Sequence, residues 1–286
     1  MSDAILENVT YYDGEQLKSN RRIRIENGSI VSIEKQDEFL RKDNQECASL
    51  DCGNLYLYPA LMDTHLHFPG NILFRDYGIL LSGKNSLQEY KEVLQKYKET
   101  TTNKIHKGVG WNQNILKGEK ELRQFREYTE NIFEEEPLVI FSEDFHNAVC
   151  NQAMKRLLQK DYPDIQIMES NQIQGENIFR MLQSVKEIQF DEIQIEKSVL
   201  DYQKQIWNCG ITAVQSLLFL GGNGEKEYAV MKRLDEENRL YLDISLACTV
   251  YPYESIEEIE EKYKKMRRFE GKRLHVRTLK LYLDGV

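Results

Sequence analysis

Residues 55–67 read Leu55-Tyr56-Leu57-Tyr58-Pro59-Ala60-Leu61-Met62-Asp63-Thr64-His65-Leu66-His67. A short apolar strand here reaches a cluster of metal-capable side chains, and in α/β barrels the chemistry collects at strand ends. Asp63, His65 and His67 occupy alternate positions, so an extended backbone turns all three toward one face. Two neutral imidazoles on one face can share an ion such as zinc, while a nearby carboxylate orients the rings or joins the coordination shell. A bare His-x-His pair is more often a surface or packing feature. The apolar strand before it, Pro59 and Asp63 are what favour the metal.

On the N-terminal side, residues 4–58 hold short apolar runs separated by turn signals at Asp13-Gly14, Asn27-Gly28 and Gly53-Asn54. Ile23 and Ile25 alternate with charged residues before Asn27-Gly28, and Ile30, Val31 and Ile33 follow it, which predicts a hairpin within a small β module.

On the C-terminal side, residues 86–206 read as mainly helical. Ser86 and Glu89 form a capping-box signature ahead of Leu87, Tyr90, Val93, Leu94 and Tyr97 at helical spacing. A second helix is predicted over about 119–132, a buried strand at Leu138 to Phe141, and a longer helical stretch over about 176–208 that closes at Gly210. From Gly210 the order becomes regular: strand at Ile211 to Leu217, helix at about 224–238, strand at Leu240 to Ala247, helix at about 255–270, strand at Leu274 to Leu283. Ser255 and Glu258 form another capping box. Alternating strands and helices imply a parallel sheet, so the helical block of about 80–206 reads as an insertion between two of its strands.

The chain carries 47 acidic against 38 basic side chains and a net charge of -9, which repels nucleic acid phosphates and anionic membrane surfaces. No apolar run approaches the roughly 20 residues that span a bilayer, and the N-terminus lacks a secretory pattern. The cysteines Cys47, Cys52, Cys150, Cys209 and Cys248 are odd in number, scattered and without a Cys-x-x-Cys pair, as expected of a reduced cytoplasmic protein. Gly221-Gly222-Asn223-Gly224 fits no phosphate-binding signature and reads as a loop after a strand.

Five segments, taken together and in order, resemble the amidohydrolase superfamily, in the branch often called amidohydrolase family 3. Pro59-Ala60-Leu61-Met62-Asp63-Thr64-His65-Leu66-His67 is similar to its Pro-Gly-Phe-Ile-Asp-x-His-x-His, with Ala60 in place of glycine. Gly110-Trp111-Asn112-Gln113-Asn114 is similar to Gly-Trp-Asp-Gln-Asn. Asp144-Phe145-His146-Asn147 through Asn151 resembles Asp-Gly-His-x-x-x-x-Asn, and Gly210-Ile211-Thr212-Ala213-Val214 resembles Gly-Val-Thr-Ser-Val. Leu279-Lys280-Leu281-Tyr282-Leu283-Asp284-Gly285 resembles Val-Lys-Leu-Phe-x-Asp-Gly.

The resemblance implies an α/β fold: part of a (β/α)8 TIM-like barrel, residues 59–286 with the insertion, preceded by residues 1–58 as part of a small β-sandwich. It implies a hydrolase of carbon-nitrogen bonds other than peptide bonds, in which a divalent metal, with zinc the first choice, activates water against a small-molecule substrate. The implied ligands are His65, His67 and Lys280, the last carboxylated by carbon dioxide. An unmodified strand lysine is the alternative for Lys280. Asp63 would support the ligands from behind. Asp144 and His146 would serve the substrate pocket or, equally, be structural, and Trp111 would wall that pocket or pack in the core, the role expected of Trp207. His106 and His275 have no context and receive no role. The family's later histidines and its proton-transferring aspartate have no counterpart here, since the sequence stops directly after the lysine strand, so no catalytic residue is assigned. A portion of a longer enzyme is therefore expected, or else a catalytically incomplete structural or interaction module, whose open apolar sheet edge calls for cover such as a homo-oligomer.

Overall fold

The computed structural model describes residues 3–36, 48–53, 55–70, 72–217, 223–251 and 254–281. Cys47, Asn54, Gly221, Gly222 and the end of the last motif, Tyr282 through Gly285, lie outside them. The chain divides into two compact units, Met1–Ala60 and Leu61–Val286.

The first unit is built from β1 (Ala4–Tyr12), β2 (Leu17–Glu26), β3 (Ser29–Lys35), β4 (Ala48–Asp51) and β5 (Tyr56–Leu57). They form one sheet in the order β3-β2-β1-β4, with β5 also on β1. Asn27 and Gly28 both take positive φ, 50° and 78°, as a two-residue hairpin turn requires, and β2 and β3 pair antiparallel on either side with Glu26 opposite Ser29. The expected hairpin is present. The described residues of this unit form this single sheet, with no second layer of a sandwich among them.

In the second unit come β6 (Leu61–Leu66), α1 (Ile72–Tyr77), β7 (Ile79–Leu80), α2 (Leu87–Thr100), β8 (His106–Trp111), α3 (Glu119–Phe133), β9 (Leu138–Ser142), β10 (Asn147–Cys150), α4 (Gln152–Asp161), β11 (Gln172–Gln174), α5 (Glu176–Ser184), α6 (Glu192–Asn208), β12 (Ile211–Ser216), α7 (Asn223–Glu236), β13 (Asp243–Val250), α8 (Ile256–Met266) and β14 (Leu274–Leu281). The apolar run from Leu55 is thus shared between two sheets, β5 in one and β6 in the other, with Pro59 between them.

Strands β6, β12, β13 and β14 form a parallel sheet in the order β14-β13-β12-β6. Each new strand is added beside the last with no reversal of order, unlike a doubly wound sheet. One face carries Val214, Ile244, Leu246, Cys248, Leu274 and Val276 into a core shared with Val199 and Ile206 of α6 and Tyr228, Met231 and Leu234 of α7.

Between neighbours β6 and β12 stands the inserted block. Its helices exceed its strands in length, yet it is organised on a mixed five-stranded sheet of its own, β11-β10-β9-β8-β7. Only β9 was expected. The helical run expected over 176–208 is divided by a 3-10 turn at Lys186–Ile188. Val185, Ile188 and Phe190 in that break are all buried, so an unbroken helix would rotate apolar side chains out of the core. Helix α6 then restarts on an Asp191 and Gln194 capping box. No helix among the described residues is long and apolar enough to cross a membrane.

Candidate metal centre

Strand β6 does not keep a plain alternation. Asp63 registers with Val214 and Leu66 with Ser216, so three steps on β6 match two on β12 and one extra residue is accommodated between Asp63 and Leu66. Registered neighbours in a sheet share a face, and Val214 and Leu66 belong to the helix side. Asp63 therefore lies on that side, where its charge acts on Tyr202 of α6, raising the phenol's pKa in second place to burial. The expectation that Asp63, His65 and His67 share one face fails on this bulge, which is a property of strand pairing and not of spacing.

The histidines do come together. The rings of His65 and His67 stand 6.2 Å apart, centroid to centroid. Lys280 on β14 lies within electrostatic reach: burial first, then the charges of Lys280 and His65, lower the pKa of His67 to about 4. At neutral pH His67 is an uncharged imidazole with a lone pair to give, the form in which histidine binds metal. Asp63 holds the main chain beside these rings. Its Oδ1 accepts the main-chain N–H of His65 at 3.0 Å, fixing the backbone and not the ring. Among the described residues no third His, Cys, Asp or Glu joins the pair to complete a cage.

Several residues that hold this corner went unnoticed in the sequence. Ser216 Oγ donates to the carbonyl of Phe68 at 3.1 Å and accepts its N–H at 3.3 Å, clamping both main-chain groups of the residue that follows His67. Phe68 in turn stacks on Tyr202. Gly70 takes φ 51°, and a Cβ there would stand 2.0 Å from the His67 carbonyl oxygen, so only glycine fits. The dipeptide Pro69-Gly70 is a turn signal that could have pointed to it.

The other expected site residues lie elsewhere in the unit. Trp111 is 2% exposed, its indole Nε1 donates to the Ile140 carbonyl at 3.0 Å, and it packs with Tyr90, Phe125 and Ile140 in the core of the inserted sheet. Asp144 and His146 are exposed in the turn between β9 and β10. That segment is not extended, because Phe145 between them takes φ 59°. Asp144 Oδ1 accepts from Ser142 Oγ and from the His146 N–H, which closes the turn. Asn151 is wholly buried: its Oδ1 accepts from the N–H groups of Leu138 and Met154 and its Nδ2 donates to the Glu136 carbonyl. It joins β9 to the start of α4. His106 is also fully buried, with Nε2 at 2.8 Å from Glu136, which also binds Lys98 and Lys104.

Residues 49–286 match the sequence profile described as the amidohydrolase family. Two solved structures have a similar fold. One is an uncharacterized metal-dependent hydrolase from Pyrococcus horikoshii OT3, with 20% identity over 100% of this chain and a TM-score of 0.66. The other is an uncharacterized metal-dependent hydrolase from Pyrococcus furiosus, with 21% identity over 99% of this chain and a TM-score of 0.67. This chain spans 55% and 57% of the length of those two proteins. No curated protein matches it.

Proposed function

Because the chain belongs to the amidohydrolase family, we propose that it contributes the first part of a metal site to a hydrolase of small molecules, acting on carbon-nitrogen bonds other than peptide bonds. The observation that supports this reading is the pairing of His65 and His67, two adjacent imidazoles, one held neutral, within electrostatic reach of the strand lysine Lys280. The donor chemistry fits a divalent ion, with zinc first and iron, manganese or nickel next. His65 and His67 would hold it, and Lys280, once carboxylated, would supply the anionic third ligand that the described acids do not. When bound, the ion supplies Lewis acidity and acidifies a water molecule.

The protein groups do the positioning. Asp63 fixes the His65 main chain, Ser216 clamps Phe68, and burial keeps His67 unprotonated. His146, exposed at the β9–β10 turn, is a candidate substrate contact, whereas Trp111 and Asp144 already have structural partners. Proton transfer is assigned to no residue of this chain. In this reading β6, β12, β13 and β14 are the first four strands of a (β/α)8 barrel, residues 59–286 its portion here, and residues 1–58 part of a small β-sandwich.

The test is elemental analysis of the purified chain beside a His65→Ala, His67→Ala double variant. Near-stoichiometric metal in the parent and its loss in the variant are expected; equal metal in both would sink the proposal. A second reading, an interaction module that associates with copies of itself, draws on the exposed Leu61, Met62, Leu279 and Leu281 of edge strands β6 and β14. A monodisperse metal-loaded monomer with hydrolytic turnover would exclude it.

A further inference from the structure

Resting on the reading of Lys280 as a carboxylated ligand, we propose that Thr249 is its positioning residue, donating its hydroxyl to one oxygen of the carboxylate formed there. Thr249 and Lys280 are registered neighbours across the parallel pair β13 and β14, so their side chains share a face. That face is opposite the core, because Leu246 and Cys248 alternate with Ala247 and Thr249 along β13 and only the former enter the helix-side core.

Among the described residues of β13 and β14, three hydroxyls lie on this face, those of Ser245, Thr249 and Thr278. Ser245 and Thr278 satisfy one another at 3.3 Å. Thr249 is 5% exposed, and its Oγ1 is a buried group with no hydrogen-bond partner among the described residues. Its main-chain oxygen is already taken by Lys262 Nζ at 2.6 Å, which leaves only the side chain uncommitted. Buried hydroxyls are nearly always paired, so one held beside Lys280 has a partner still to come.

Carboxylation would bring that partner. The Lys280 ammonium first gives one proton to solvent; the lone pair of the resulting amine then attacks the carbon of carbon dioxide and a nitrogen-carbon bond forms. One carbon-oxygen π pair moves onto oxygen, and the amine proton leaves to solvent, with no change of oxidation state. The product puts an anion where Lys280 now adds positive charge to the corner of His65 and His67. An O–H donor beside it gives a charge-assisted hydrogen bond.

The experiment uses the full chain with zinc and carbon-13 bicarbonate. Carbon-13 NMR and intact mass read carbamate, with Lys280→Ala assigning the signal. Thr249→Ser should keep the carbamate. Thr249→Val should raise the half-saturating bicarbonate about tenfold, the scale of one hydrogen bond to a charged group, while its melting temperature holds or rises because an unpaired buried hydroxyl has been removed. Parental bicarbonate dependence in Thr249→Val would overturn the role of Thr249 alone. No carbamate on the parent chain would overturn both this role and the carboxylated lysine, and the metal content of the double-histidine variant would still judge the metal site separately.

Discussion

Two imidazoles in the second unit, His106 of the inserted sheet and His67 after β6, both have pKa values lowered first by burial, but their surroundings oppose one another. At His106 a carboxylate answers: Glu136 bonds its Nε2 and is itself held by Lys98 and Lys104, with Tyr97 and Phe133 packed against the ring. At His67 the charges of Lys280 and His65 act in the same direction as burial. The first is a local network whose charges compensate within the fold. At the second, burial first and then the charges of Lys280 and His65 keep the imidazole neutral, with its lone pair free of a proton. The difference predicts that substitutions in the inserted sheet change stability and leave metal alone, whereas those at the parallel sheet's free face change metal and leave stability alone.

The largest expected break of that division on the stability side is Glu136→Ala. It strips the fully buried His106 of its hydrogen-bond partner and leaves Lys98 and Lys104 without their shared carboxylate, which should cost about 2 kcal/mol in urea unfolding, the scale of leaving one buried polar group unsatisfied. Metal content should stay at the parental level. A loss of metal equal to that of the double-histidine variant would mean that the two corners are not separate devices.

How much of this was legible follows from where the signals lie. The β2–β3 hairpin could be read from Asn27-Gly28, and the run β12, α7, β13, α8, β14 from strands and helices spaced at regular intervals. The inserted sheet could not, because β7, β10 and β11 have 2, 4 and 3 residues, too short for any periodicity to show. In the site, His65 and His67 stood out by spacing, while Lys280 stood out only by resemblance. The displacement of Asp63 to the helix side depends on a bulge set by pairing with β12, which no local pattern carries. Thr249 is hidden for a different reason: within Leu246 to Val250 a threonine looks like any β-branched strand residue, and that its hydroxyl is buried without a partner among the described residues shows only in three dimensions.

A smaller effect should come from Glu227, which lies in α7 on the core side and has a buried Oε2 with no partner among the described residues. Burial pushes its pKa from 4.5 up to about 8. Between those values the folded chain holds a proton that the unfolded chain has released. Its contribution is thus fully present below about pH 4.5 and falls as pH rises through about 8. His67 works the other way at lower pH: its folded pKa of about 4 lies under the unfolded 6.5, so its contribution improves as pH rises across that interval. The difference between parent and Glu227→Gln melting temperatures isolates the glutamate, and the variant should gain on the parent steadily from about pH 5 to 8. Parallel curves would mean that Glu227 is ionised in the fold and has found a counter-charge.

The smallest effect tests how well the free face is insulated from the helices behind it. Ser255 caps α8 in a reciprocal box with Glu258. From that helix Lys262 reaches both the Thr249 carbonyl and Glu254, and Tyr263 donates to the Val276 carbonyl at 2.9 Å. Helix α8 therefore grips the backbones of β13 and β14 from one side while Thr249 and Lys280 face the other. Ser255→Ala removes one cap and should cost about 1 kcal/mol of stability. If the strands are stiff enough to separate their two faces, bound metal and the bicarbonate dependence of the Lys280 carbamate stay at parental values. A shift of either by several fold would show that the hold of Lys262 on Thr249 sets the site, making α8 part of its positioning machinery and erasing the contrast between a stabilising core and an independent face.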